Sequence, residues 1–275
     1  MQIAVVSGKG GTGKTTVTSV FATLCKGVIA DCDVDAPNLY ILLRPRISKE
    51  IPFKGMKKAR IIHEKCECCG LCADLCRFDA IQSNDRYEVD IARCEGCGFC
   101  FRACPNDAIE MVSDVRGRIF ISETEYGPFV YAILDPGEEN SGLLVHEVKK
   151  RAEEVADERG LDIILIDGAP GIGCPVIASL SNVDKAVVVA EPTLSGLSDM
   201  KRILRLVEHF KIEHYVIINK FNINLDISKK IEEFCKEKDV PIIAKVPFYE
   251  DIPISIANLK IPIKDEIVTA WRELV

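Results

Sequence analysis

The chain has 275 residues, 48% of them hydrophobic, and a net charge of −7. That length buries a substantial core in one large domain or two smaller ones, and the acidic balance argues against a general nucleic-acid binder. No apolar run approaches the roughly 20 residues that span a bilayer. The opening "MQIAVVSGKGG" has neither a basic n-region nor an apolar h-region, so a cytoplasmic protein with no membrane partner is expected. Nine of the thirteen cysteines fall within residues 66–104, which in a chain without export signals points to metal or cluster ligation rather than disulfides.

In chain order, "QIAVVSG" reads as a short apolar strand and runs directly into "GKGGTGKT", Gly8 to Thr15. The helical pattern "GKTTVTSVFATLCK" follows. A glycine-rich G-x4-G-K-[ST] loop between a strand and a helix is a phosphate cradle: backbone N–H groups and the helix N-terminus face the anion. Lys14 is expected to reach the β and γ phosphates, and the Thr15 hydroxyl to ligate Mg²⁺. Gly8, Lys9, Gly10, Gly11, Thr12, Gly13, Lys14, Thr15 and Thr16 are the candidate nucleotide-binding residues here. "GVIAD" is a second strand, and "IADCDVDAPNL" then carries Asp31, Asp33 and Asp35.

The pattern breaks between about residues 44 and 115. "RPRISKEIPFKGMKKAR" holds seven Lys/Arg against one Glu. It reads as a solvated linker or edge strand, with a docking patch for an acidic partner as the alternative. Next comes an internal repeat, Cys66-x2-Cys69-x2-Cys72-x3-Cys76 and Cys94-x2-Cys97-x2-Cys100-x3-Cys104-Pro105. This is the bacterial spacing for paired [4Fe–4S] clusters, in which the fourth cysteine of each run serves the other cluster. Cys66, Cys69, Cys72 and Cys104 are thus assigned to one cluster, and Cys76, Cys94, Cys97 and Cys100 to the second. A zinc site would need C-x2-4-C pairs instead. Cys68 reads as a non-ligand thiol within the first loop.

Strand-like pieces in "RIFISETEYGPFVYAIL" lead back to alternating strands and helices. The helices are "LLVHEVKKRAEEVADERG", "LSDMKRILRLVEHF" and "ISKKIEEFCKEKD"; the strands are "DIILIDG", "KAVVVAEP" and "HYVIINK". Short apolar runs alternating with helices predict an α/β fold with a doubly wound, mostly parallel sheet, interrupted by an inserted small α+β domain. The expected division is 1–58 and 115–275 for the ATPase domain and 59–114 for the insert. Asn219 in "VIINKFN" is suited to hydrogen-bond an adenine edge, and Asn222 stands where GTP-reading NKxD motifs carry Asp, so ATP is favoured. Cys25, Cys32 and Cys235 read as buried small apolar residues, and none of the four histidines is given a role.

The cysteine segment resembles bacterial two-cluster ferredoxins, departing from them at Arg77, where Pro usually follows the fourth cysteine. The remainder resembles the deviant Walker A ATPases (MinD, ParA, Mrp and the nitrogenase iron protein), whose loop reads KGGxGK[ST]. That resemblance implies a P-loop fold and a nucleotide-dependent sandwich dimer, with Lys9 crossing the interface to the partner's ATP. It makes Lys9, Lys14 and Asp33 the catalytic candidates, with Asp33 positioning the attacking water. It also makes "IILIDGAPGIG" the Walker B strand and switch II, so that Thr15, Asp33 and Asp167 form the Mg²⁺ set, while Pro247 in "KVPFYE" walls the base.

In the nitrogenase iron protein a cysteine at the offset of Cys174 ligates a cluster shared between subunits. Here "DPGEENSG" offers Asn140 and Ser141 in place of the second cysteine, and the C-x2-C of Mrp-type carriers is missing, so Cys174 is a redox or transient-ligand candidate. The expected function is an ATP-binding and hydrolysing iron–sulfur protein whose MgATP-driven dimer switching gates electron transfer from two [4Fe–4S] clusters to a redox partner. The expected dimer is a homodimer or a heterodimer with a similar ATPase. An iron–sulfur carrier of the Mrp kind serving an acceptor protein is the first alternative, and a MinD/ParA-like positioning ATPase the second.

Overall fold

The computed structural model describes residues 1–83, 85–135 and 141–275, the Ser141 side chain excepted. It divides into two compact units: Met1–Ile51 with Arg118–Val275, and Pro52–Gly117. The inserted unit is thus wider than the 59–114 span read from composition. Among the described residues no helix is long and apolar enough to cross a membrane.

The chain enters the larger unit through β1 (Gln2–Ser7), α1 (Lys14–Leu24), β2 (Val28–Asp31), α2 (Leu39–Leu43) and β3 (Arg46–Lys54). The smaller unit contributes β4 (Lys58–Ile61), α3 (Leu71–Asp74), β5 (Ile81–Ser83), β6 (Tyr87–Val89), α4 (Phe99–Ala103) and β7 (Ile109–Val112). Next come β8 (Val115–Thr124), β9 (Gly127–Leu134), α5 (Ser141–Arg159), β10 (Ile164–Pro170), α6 (Cys174–Leu180), β11 (Lys185–Ala190) and α7 (Leu194–His209). The chain closes with β12 (Glu213–Asn219), α8 (Leu225–Glu237), β13 (Ile242–Val246), α9 (Asp251–Ala257) and α10 (Asp265–Leu274).

Nine strands form one sheet in the order β13-β12-β11-β1-β10-β2-β9-β8-β3. Neighbours from β13 through β9 pair in parallel. Only two residues join β8 to β9, so that pair is an antiparallel hairpin. Residues 3–6 of β1 are fully buried, as a strand covered by helices on both faces requires. The helices bury single stripes: Met200, Ile203, Leu204 and Val207 on α7, and Ile267, Ala270, Trp271 and Leu274 on α10, at the i, i+3, i+4, i+7 spacing of one helical face. Cys25, Cys32 and Cys235 are buried, as expected of small apolar residues.

The basic stretch resolves in part into β3, the exposed outer strand of the sheet. Arg46, Lys49 and Pro52 there are the residue types that discourage a sheet edge from pairing with another chain. After β1 the chain goes to one side to build β2, and β10 later inserts between them, while β11 lies on the other side of β1. Strand order therefore reverses at β1, and such a switch point opens a crevice at the carboxyl ends of the strands.

The smaller unit has a two-fold internal repeat. β4 pairs antiparallel with β7, and β5 with β6, so the strand before the first cysteine run joins the strand after the second. Its core is Ala59, Ile61, Ile81 and Ile109, against which six of the repeat cysteines pack.

Candidate functional site

The loop after β1 opens into a cavity of about 660 Å³ lined by P-loop residues, Asp33, Asn219 and Pro247. Gly13 is the N-cap of α1, in the left-handed region at φ 94°, and a Cβ there would lie 2.1 Å from Asn219 Nδ2. No side chain caps this helix, so its first N–H groups are left for a ligand. Asn219 lines the cavity, yet its amide is spent largely on the loop: Nδ2 donates to Thr12 O at 2.7 Å and Oδ1 accepts from Lys220 N at 3.0 Å. Its main contacts are thus with the P-loop and the chain beside it rather than with an open base edge. The Lys220 ammonium donates to Gly11 O at 3.1 Å.

Lys14 and Asp167 are both buried, with Nζ 2.9 Å from Asp167 Oδ1 and 3.8 Å from Asp33 Oδ2. Thr15 Oγ1 donates to Asp167 Oδ2 at 2.9 Å, and Thr18 Oγ1 to Asp167 Oδ1 at 2.7 Å. Asp31 Oδ1 accepts from Asp33 N at 3.0 Å and Oδ2 from Leu39 N at 3.3 Å, pinning both ends of the loop that carries Asp33. Burial alone would pull the Lys14 ammonium down, but Asp167, Asp31 and Asp33 outweigh it and hold it above its ordinary value. Asp31 is pushed up to about 8, first by burial and then by the Asp167 charge. Burial likewise raises Asp33, against the pull of Lys14.

This arrangement fits a magnesium nucleotide. The buried Lys14 ammonium has an ion pair but no acceptor in line with its N–H bonds, so it has donors to give to phosphate oxygens. Three carboxyl groups surround one ammonium, and two of them are pushed toward their neutral forms by burial, a penalty that a dication would relieve. Among the described residues no three His, Cys, Asp or Glu side chains form a cage for a metal ion. Mg²⁺ beside phosphates needs none, being held by one or two protein oxygens, phosphate oxygens and water.

Lys9 lies outside this cluster. Its ammonium pairs with Glu191 Oε1 at 2.7 Å and donates to Ser195 Oγ at 2.9 Å and Thr193 Oγ1 at 3.2 Å, which uses all three N–H bonds. Within one chain Lys9 is therefore held by the loop between β11 and α7 and by the first turn of α7. No local pattern singles out Glu191, Thr193 or Ser195 in "AEPTLS", or Thr18 in "KTTVTS". Cys174 is the exposed first residue of α6, beside Gly142. Asn140 and the Ser141 side chain, named with it above, lie outside the described residues.

In the smaller unit Cys66, Cys69, Cys72 and Cys104 line one small cavity. Burial raises the Cys72 thiol, with Cys66 and Cys69 adding to it; burial also raises Cys100, with Cys94 and Cys97 adding to it. The repeat extends to detail. Ala80 N donates to Cys76 Sγ at 3.4 Å, and Ala108 N to Cys104 Sγ at 3.3 Å. Cys68 takes the left-handed conformation, φ 53°, at the position where the second run has Gly96 at φ 65°. The extra thiol is therefore a side chain at a glycine-favouring turn position.

A P-loop at the switch point of a parallel sheet, with a buried lysine–aspartate pair and a helix N-terminus facing a cavity, defines a P-loop nucleotide-binding domain. Comparison with known families agrees: residues 3–263 match the CobQ/CobB/MinD/ParA nucleotide binding domain, and the chain belongs to that family. Uncharacterized protein MJ0578 of Methanocaldococcus jannaschii is 35% identical over 264 residues, covering 94% of this chain and 88% of that one. Among solved structures, the fold is similar to the MinC:MinD cell division protein complex of Aquifex aeolicus, with TM-score 0.59, 19% identity, and 99% and 95% of the two chains covered. It is also similar to the septum site-determining protein MinD complexed with Mg-ADP from Pyrococcus horikoshii, with TM-score 0.57, 17% identity, and 99% and 95% covered. Apo McdA of Cyanothece gives TM-score 0.57 at 15% identity, with 100% and 99% covered.

Proposed function

We propose that the protein is an ATP-hydrolysing iron–sulfur protein in which a nucleotide-switched dimer gates electron transfer from two [4Fe–4S] clusters to a redox partner. The carrying observation is the matched pair of cysteine runs, with equivalent N–H···S bonds to Cys76 and Cys104 in a small unit whose core the cysteines complete. Backbone donors aimed at sulfur suit thiolates that bind a cluster, and such bonds tune its potential. Cys66, Cys69, Cys72 and Cys104 would hold one cluster, and Cys76, Cys94, Cys97 and Cys100 the other, although no preformed cage for a metal ion stands among the described residues. The clusters supply one-electron chemistry; the chain supplies the ligands, the hydrogen bonds and partial exclusion of water.

In the larger unit the loop amides and Lys14 bind phosphate oxygens, Thr15 and Asp167 face the metal side, and Asp33 orients water. MgATP supplies the phosphoryl group and the charge to which these residues respond. Base selection favours adenine, because Asn222 does not line the cavity and its Oδ1 accepts from Phe248 N at 2.6 Å. Pro247 and Phe248 wall the base side. Lys9 completes the site of a second copy after leaving its hold on Glu191. Cys174, exposed on α6, is open to a redox role.

A positioning ATPase of the MinD/ParA kind is the second reading, favoured by the family match and the fold shared with MinD and McdA. Anaerobic purification with iron, sulfide and EPR measurements, with and without MgATP, separates the two. Reducible clusters whose signals respond to nucleotide are expected. Nucleotide-dependent dimerisation without iron or sulfide would instead establish the positioning reading.

A further inference from the structure

Thr18 lies one helical turn beyond Lys14 on α1, fully buried. Its hydroxyl has one proton and two acceptors in reach, Asp167 Oδ1 at 2.7 Å and the Lys14 carbonyl at 3.1 Å. The shorter contact is to a carboxylate, and charge-assisted bonds are the stronger ones, so the proton goes to Asp167. α1 therefore holds Asp167 from three side chains: Lys14 and Thr18 at Oδ1, and Thr15 at Oδ2.

These three partners differ in what a ligand does to them. On the reading above, phosphate recruits the Lys14 ammonium, and the metal recruits the Thr15 hydroxyl. Thr18 does neither, since its buried hydroxyl faces only Asp167 and the backbone of its own helix. We propose that Thr18 is a positioning residue that fixes the Asp167 carboxylate for the metal side of the nucleotide site. It acts through Asp167 and touches no nucleotide itself. The inference rests on the nucleotide reading of the P-loop.

The test uses the full-length chain and ADP, to avoid turnover, titrated with Mg²⁺ and in EDTA. Thr18→Val keeps the side-chain shape and removes the hydroxyl. A lost hydrogen bond to a charged group corresponds to about 10-fold or more. The expected result is that fold loss in Mg²⁺-dependent ADP affinity, with metal-free ADP affinity within about twofold of the wild type. Thr18→Ser, which retains the donor, restores the Mg²⁺ dependence.

Equal losses with and without Mg²⁺ would reduce Thr18 to a structural residue and overturn the proposal, as would an unchanged variant. Should Thr18→Val fail to fold, Thr18→Cys, of similar size with a weak donor, decides the matter by an intermediate, Mg²⁺-specific loss or its absence. Failure of the underlying reading looks different: the wild type itself would bind no ADP in either buffer.

Discussion

Replacing Lys14 by methionine removes one ammonium and little volume from a site where it pairs with Asp167 and Asp33. At an effective dielectric of about 20, the 2.9 Å approach to Asp167 is a gross attraction of about 6 kcal/mol, and the 3.8 Å approach to Asp33 about 4 kcal/mol. Desolvation cancels much of this, and breaking a buried pair from one side costs a net 3–5 kcal/mol or so. For a unit of this size that corresponds to a Tm lower by about 6–20 °C.

Trp271, the only tryptophan, is buried on α10 with its ring centroid 5.2 Å from that of Phe21 on α1, so its fluorescence reports this unit. The measurement is denaturation of wild type and Lys14→Met without nucleotide or Mg²⁺, across pH. Asp31 has a folded-state pKa raised to about 8, so its contribution to stability is present at low pH and is lost as pH rises toward that value. Removing Lys14 takes away a charge that lowers the Asp31 and Asp33 values, and the variant's native state then holds more protons. By linkage its deficit grows with pH and is larger at pH 8.5 than at pH 5.5. A variant as stable as the wild type at pH 8.5, or a deficit that shrinks with rising pH, would refute the reasoning.

Three further outcomes are expected. Lys9→Ala leaves MgATP binding by the single chain intact but lowers ATPase activity and ATP-induced dimerisation, read by sedimentation in ATP and ADP; in-trans arginine fingers in comparable roles are worth about 10³–10⁵ in rate. Unchanged turnover and association would assign Lys9 only its local contact with Glu191. Cys97→Ser loses one cluster and about half the iron, whereas equal zinc and no sulfide in both proteins would remove the ferredoxin assignment. Gly13→Ala, with its Cβ 2.1 Å from Asn219 Nδ2 and a left-handed backbone, weakens ADP binding at least tenfold and costs about 1–3 kcal/mol of stability; ADP affinity at the wild-type level would contradict that geometry.

Much of this protein is legible locally. The G-x4-G-K-T loop follows an apolar strand and opens a helix, and each of those signals is set by residues a few positions apart, so β1, the loop and α1 could be read without a fold. The same holds for the cysteine repeat and for the buried strands β2, β10, β11 and β12, whose β-branched runs announce themselves. Tertiary structure decided what depends on strand order. Asp167 meets Thr15 across 152 positions because β10 inserts between β1 and β2, and no local pattern encodes that insertion. Lys9 finds Glu191, Thr193 and Ser195, and Asn219 finds Thr12, because β11 and β12 stack beside β1 with their carboxyl ends level. The charge of the basic stretch was visible in sequence, but the sheet's closing order made part of it an edge strand, where lysine, arginine and proline serve to keep the edge unpaired. Thr18 is one of several hydroxyls in "KTTVTS", and only its burial against Asp167 sets it apart.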